Sequence, residues 1–196
     1  EISPGAIWGT AIAALVLVAA LFFAGPVLLT RWLDDVVESD LALVVIEGAI
    51  RLVLVVGYVG LIGLLPDVRR VYAYHGAEHK SIHALEHGDP LEPERVQRHS
   101  TAHVRCGTSF IFVVMVISII VFGLVGVHAA WLMALSRIVF IPVIASLSYE
   151  VIYFGGRHSH NPLVRVILAP GLLLQSLTTR EPDDKQLEVA IKALRS

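Results

Sequence analysis

Charge is scarce in this chain: only 16% of its 196 residues are Asp, Glu, Lys or Arg, where a soluble globular domain carries about 25%. That shortage excludes a disordered chain, which survives in water on charge. A basic excess is missing as well. Fifteen Lys and Arg against seventeen Asp and Glu give a formal charge of −2, so nucleic acid is not an expected partner. There is a single cysteine, Cys106, which rules out an intramolecular disulfide and a secreted disulfide scaffold. Its remaining roles are a thiol, a metal ligand or a small buried filler. A starting methionine is also missing, since position 1 is Glu, and we read the chain as trimmed at its start.

Apolar sequence is abundant. Hydrophobic residues make up 56% of the chain and mean hydropathy is +0.73. The excess falls in blocks long enough to cross a bilayer, which points to an integral membrane protein and away from a soluble enzyme with a peripheral anchor. Four spans are predicted, over about residues 6–29, 41–65, 110–127 and 131–154. The first has no ionisable residue. The second is interrupted only by Glu47 and Arg51, and the fourth by Arg137 and Glu150. A fifth apolar stretch, 163–177, is too short to span and is expected to break at Pro170-Gly171, giving a re-entrant or interfacial segment. After Pro182, Asp183 and Asp184 can cap a short amphipathic helix carrying Leu187, Ala190, Ile191 and Leu194. The fold class is therefore all-α: a polytopic membrane protein with four transmembrane helices plus one short re-entrant or interfacial segment. The organisation reads as helices one and two (1–65), a His-rich loop (66–109), helices three and four (110–154), and the short segment with its tail (155–196).

Lys and Arg counts set the orientation. The first connection holds Arg31 alone, the turn at 128–130 none, and the long loop six: Arg69, Arg70, Lys80, Arg95, Arg98 and Arg105. The tail also holds six. Both termini and the His-rich loop are expected in the cytoplasm, where a lone thiol stays reduced.

Nine histidines are the compositional oddity, five of them between His75 and His99. His75-Gly76-Ala77-Glu78-His79 reads H-x-x-E-H. On a helix His75 and His79 stand one turn apart on one face, with Glu78 beside them. Two imidazoles so placed can grip one metal ion, and the carboxylate can ligate it or act as base to a water. His103 and Cys106, three apart, could complete a tetrahedral set that suits zinc. Glu150, near the inner end of span four, is a further candidate ligand, because a carboxylate in hydrocarbon needs a partner. The competing reading is a solvated face, since His75, His79, His83 and His87 recur every four residues. His83 and His87 are left out of the ligand set, and His99, His128, His158 and His160 are read as structural or surface residues. Glu47 and Arg51 are spaced i, i+4, and Glu47 and Arg137 lie about 9 Å from the outer ends of their spans. Glu47, Arg51 and Arg137 are therefore expected to form one buried charge network between spans two and four.

The string from Val71 to Lys80, VYAYHGAEHK, resembles the signature of the YqhQ-like family of bacterial membrane proteins. Further matches to that pattern are His103 to Phe110 (HVRCGTSF), Ser148-Tyr149-Glu150, and the tail from Pro170-Gly171 through Gln175 and Leu177 to Pro182 and on to Glu188-Val189-Ala190. The matches occur in order and cover nearly all of the chain from about residue 40 onward. The family has no assigned function and is described as metal-dependent. The resemblance implies a bacterial inner membrane protein with a metal or polar site at His75, Glu78, His79, His103 and Cys106. It supplies no reaction or substrate.

Three functions compete. The first is a metal-dependent hydrolase at the cytoplasmic face, with a divalent metal, zinc foremost, held by His75, His79 and His103 and by Cys106 or Glu150. Glu78 is its catalytic base. The second is an oligomeric scaffold or assembly protein with a structural metal, and a homo-oligomer is expected because four short spans make a thin bundle. The third is an ion or small-solute channel or transporter lined by Glu47, Arg51, Arg137 and Glu150. The absence of an internal repeat counts against the third.

Overall fold

The computed structural model describes residues 3–33, 36–126 and 130–196, without the side chains of 130–134 and 137. All regular structure among them is helical. The chain opens with α1 (Pro4–Ala19), a π-helical turn (Ala20–Ala24) and α2 (Gly25–Arg31). Then come α3 (Asp40–Ile62), α4 (Pro66–His87), a single turn α5 (Pro93–Val96) and α6 (Gly107–Val125). The helices α7 (Ala130–Arg157), α8 (Pro162–Thr178) and α9 (Asp184–Arg195) complete the chain. Four stretches are long and apolar enough to cross a membrane: Pro4–Arg31, Asp40–Ile62, Gly107–Val125 and Ile138–Arg157 within α7. Most of their side chains face outward, an arrangement that lipid accommodates and water does not. The molecule is an all-α polytopic membrane protein.

Two compact units divide the chain. The first comprises 1–57 and 115–140, the second 58–114 and 141–196. In the first unit, Pro26 lies inside the opening span. Its ring cannot give the Phe22 carbonyl an N–H, and proline clashes with the carbonyl four residues back, so the helix widens there into the π turn. Arg51 on α3 donates its Nε to that Phe22 oxygen at 2.9 Å. The same guanidinium reaches Glu47 one turn earlier, Nη2 to Oε1 at 2.5 Å. The expected Glu47–Arg51 pair is present in this unit, while the side chain of Arg137 lies outside the described residues. Gly48 lets α3 close on α6, because a Cβ at that position would sit inside the Ile119 side chain. A cavity of about 240 Å³ lies between them, lined by Thr30, Glu47, Arg51, Ser118 and Ile119 among others.

In the second unit the histidine stretch forms the 22-residue helix α4. Pro66 starts it at a position where no intrahelical N–H is required. Gly88 ends it in the left-handed conformation (φ 72°), its N–H bonded to Leu85 O and that of Asp89 to Ala84 O. The small residues Ala77 and Ala84 form a smooth stripe on α4. Leu187 and Ile191 of α9 pack on it together with Val96 of α5, and all five are buried. Asp183 caps α9 with a reciprocal Gln186 bond, the capping box. Leu187 and Ile191 are buried as the amphipathic spacing predicts, Ala190 is half-buried, and Leu194 stays exposed.

The break expected at Pro170-Gly171 is absent: α8 is one unbroken helix of 17 residues. Pro170 lies on the exposed face with Val166 and Leu173, so the hydrogen bond it removes is lost on the outer side of the helix. Gly171 lies on the buried face, where a Cβ would stand 3.3 Å from the Ser109 side chain. Gly171 here serves close packing, and Pro170 is tolerated on the outer face.

A candidate metal centre of two histidines and a thiol

α4 presents His75 and His79 one turn apart, with ring centroids separated by 4.3 Å. Cys106, immediately before α6, meets them: its Sγ lies 3.3 Å from His75 Nε2. One ligand atom from each of the three residues falls within 4.8 Å of the other two. His79 and Cys106 are buried and His75 is half-buried.

Backbone carbonyls hold both rings. The Nδ1–H of His75 donates to Thr178 O at 2.9 Å, and that of His79 to Thr101 O at 2.6 Å. A carbonyl can only accept, so Nδ1 carries the proton in each ring and Nε2 is the nitrogen left for a ligand. Metal-binding histidines are oriented in this way. Burial pushes the Cys106 thiol up. Hydrogen bonding with His75 and His79 and the bond from the Thr108 N–H outweigh that and lower it to about 5. The same contact with Cys106 raises His75, against burial and with help from the Thr178 carbonyl. The contact thus favours the thiolate, which is the form that binds metal.

Packing elsewhere brings these groups together. The segment after α8 lies directly on α4: Arg180 N–H donates to Tyr72 O at 3.0 Å, and a Cβ on Gly76 would collide with the Arg180 carbonyl. Only glycine at 76 lets that segment approach and bring the Thr178 carbonyl to His75. Gln175, fully buried, accepts the His103 N–H at 2.7 Å and donates to His103 O at 2.9 Å and Ser109 Oγ at 3.2 Å. It thereby fixes the strand of chain that carries Thr101, His103 and Cys106. Lys80 is buried on α4, with Nζ donating to the carbonyls of Gln97 and His99, each at 2.8 Å, and pairing with Glu181 at 3.0 Å.

Of the residues singled out in the sequence, His75, His79 and Cys106 come together. Glu78 is exposed on α4 beside them, and its charge contributes to raising His75. His103 is buried but turns to a second group with His83 and Glu86. Glu150 is exposed on α7 and belongs to neither group. His99 pairs with Asp89 at 3.0 Å, His158 donates to Phe154 O, and His128 lies outside the described residues. The supporting residues Gly76, Thr101, Thr178 and Gln175 were not singled out as site residues. A glycine inside H-x-x-E-H and a glutamine on an apolar helix were the available signals.

The donor set fits a metal. Two neutral imidazoles and a low-pKa thiolate suit zinc, and ligands of one tetrahedral ion stand about 3.6 Å apart for a nitrogen and a sulfur, near the observed separation.

No solved structure matches this chain. It is 37% identical over 173 residues to "Uncharacterized protein YqhQ" of Bacillus subtilis (strain 168), an alignment covering 88% of this chain and 54% of that protein. The chain thus spans about half the length of that relative. The family model described as "Protein of unknown function (DUF1385)" matches residues 1–196. With the H-x-x-E-H helix, the buried thiol and four apolar spans in one chain, the protein belongs to this YqhQ-like family.

Proposed function

We propose that the protein is a membrane-embedded metal-dependent hydrolase whose centre lies at the cytoplasmic face of the bacterial inner membrane. His75, His79 and Cys106 would hold a divalent ion, zinc foremost. The observation that carries this reading is that both imidazoles are held by Nδ1–H bonds to backbone carbonyls, with His75 Nε2 3.3 Å from the sulfur of a depressed thiol. Such an ion would supply Lewis acidity and lower the pKa of a water in its remaining position. Glu78, exposed one residue from His79, is the group to take up a proton there. Three protein donors leave one tetrahedral position for water or substrate, which favours catalysis over a closed structural site.

A second reading has one observation in its favour. The donors come from α4 and from the start of α6, so an ion would also staple those two elements, as a structural zinc does. An assembly protein would use it so.

The test is metal content by mass spectrometry of detergent-purified protein, beside a His75→Ala, His79→Ala double variant. About one zinc or other transition metal per chain, lost in the variant, supports the centre. No metal in either sample, after purification without chelator, overturns the hydrolase reading. Where metal is found, X-ray absorption separates the two readings. A light oxygen scatterer beside two nitrogens and one sulfur supports catalysis, and a fourth protein ligand supports a staple.

A further inference from the structure

One turn further along α4, a different set of donors converges. His83 and Glu86 are spaced i, i+3 on α4, and His103 approaches them from the segment that Gln175 fixes. Ligand atoms from the three residues all lie within 4.8 Å of one another. His103 Nε2 and Glu86 Oε2 are 3.3 Å apart, and two ligands of one tetrahedral ion with bonds of about 2.0 Å stand about 3.3 Å apart. The rings of His83 and His103 meet edge to face at 4.8 Å. The His83 ring is held by its Nε2–H, which donates to Ala102 O at 2.8 Å, so Nδ1 keeps its lone pair.

From this geometry we propose that His83, Glu86 and His103 form a second divalent-cation site, separate in its ligands from the His75–His79–Cys106 group and adjacent to it. The His79 and His103 rings are 5.8 Å apart, so the two sites are neighbours. The chemistry differs between them. Two imidazoles and a carboxylate, with no thiolate, suit a first-row transition ion such as zinc, iron(II) or manganese(II).

Two groups must adjust when a cation enters. Arg105 Nη2 donates to Glu86 Oε1 at 2.6 Å, but its side chain is 54% exposed and can swing to solvent. Oε2, the oxygen facing His103, is not held by Arg105. His103 Nδ1 accepts the Arg105 N–H at 3.2 Å, so the ring carries its proton on Nε2, toward Glu86. The cation takes that position, the proton transfers to Nδ1, and the long Arg105 bond is lost. Exchanging a guanidinium for a divalent ion keeps the Glu86 carboxylate paired with positive charge throughout. Farther out, His87 and His99, ring centroids 5.5 Å apart, continue the cluster toward the exposed end of α4.

Cobalt(II) is the probe, because thiolate ligation gives an intense near-ultraviolet charge-transfer band that nitrogen and oxygen ligands lack. The full chain in detergent, stripped with chelator, should bind about two equivalents, only one of which builds that band. His83→Gln with Glu86→Gln should bind about one equivalent and keep the band. Cys106→Ser should lose the band and still bind at the second group. Glu86→Gln alone, a change of one exposed side chain, provides the same reading should the double variant not fold. The proposal is overturned if the wild-type chain binds one equivalent that is wholly charge-transfer active, or if the Glu86→Gln variants retain the full wild-type stoichiometry and affinity. A band lost only in the Cys106→Ser variant reports on the first group and leaves this test of the second intact.

Discussion

The backbone of Arg180 rests on Gly76 so closely that no other residue type fits at that position on α4. The contact lies one residue from His75 and two from Thr178, whose carbonyl orients the His75 ring. Gly76→Ala should therefore push the 178–180 segment off the helix and release His75. We expect metal affinity at the first group to fall about 10- to 100-fold, as for loss of an outer-shell partner, with destabilisation of about 1–3 kcal/mol from overpacking. Competition with a chromophoric chelator and thermal melting would read the two effects separately. Wild-type affinity in the variant would refute the orienting role.

Cys106 is the one thiol in the chain, so its thiolate absorbance can be assigned without ambiguity. With the thiol lowered to about 5 by His75, His79 and the Thr108 N–H against burial, the thiolate of chelator-stripped protein should be full at neutral pH. It should disappear as pH falls through about 5, and a free cysteine would instead lose it near about 8.5. His75 is raised by the same pair, so a metal must displace its proton, and affinity should climb as pH rises through the histidine range. A midpoint near that of free cysteine would contradict the pairing. Cys106→Ser should abolish the step.

Lys80 holds the 97–99 segment to α4 through two carbonyls and Glu181. Lys80→Met keeps most of the stem and removes all three bonds. Leaving polar groups unpaired costs about 1–3 kcal/mol each, and about 2–4 °C of melting temperature goes with each kcal/mol at this size. The melting temperature of the variant should fall by several degrees, and an unchanged melt would rule out this anchoring.

Arg51 and Pro26 make a coupled pair in the first unit. Arg51→Met removes the donor that serves the Phe22 carbonyl and the partner that Glu47 has at one turn's distance. Pro26→Ala restores a backbone N–H at the position where an α-helix bonds that carbonyl. The double variant should therefore be less destabilised than the sum of the singles by about 1 kcal/mol, read in a double-mutant cycle of thermal stability. Strict additivity would show that the two share no acceptor.

Local information was legible in the sequence. The four spans follow from hydropathy, because in lipid a helix satisfies its own backbone and needs only an apolar surface. The pairing of His75 with His79, of Glu47 with Arg51, and the amphipathic face of α9 follow from the 3.6-residue period alone. Tertiary structure decided which distant groups join them. Cys106 reaches His75, whereas His103, three residues earlier and held at its own N–H and C=O by Gln175, turns to His83 and Glu86. Glu150 shares the polar composition of the candidates, but its side chain is directed outward from α7. Pro170-Gly171 carried the local signal of a break, yet the helix is unbroken: Pro170 faces outward and Gly171 admits the close approach of Ser109. Spacing along one helix constrains neighbours within a turn or two. Contacts between residues about a hundred positions apart, as between His75 and Thr178, depend on which small residues let two segments approach, and no periodicity in the sequence encodes that.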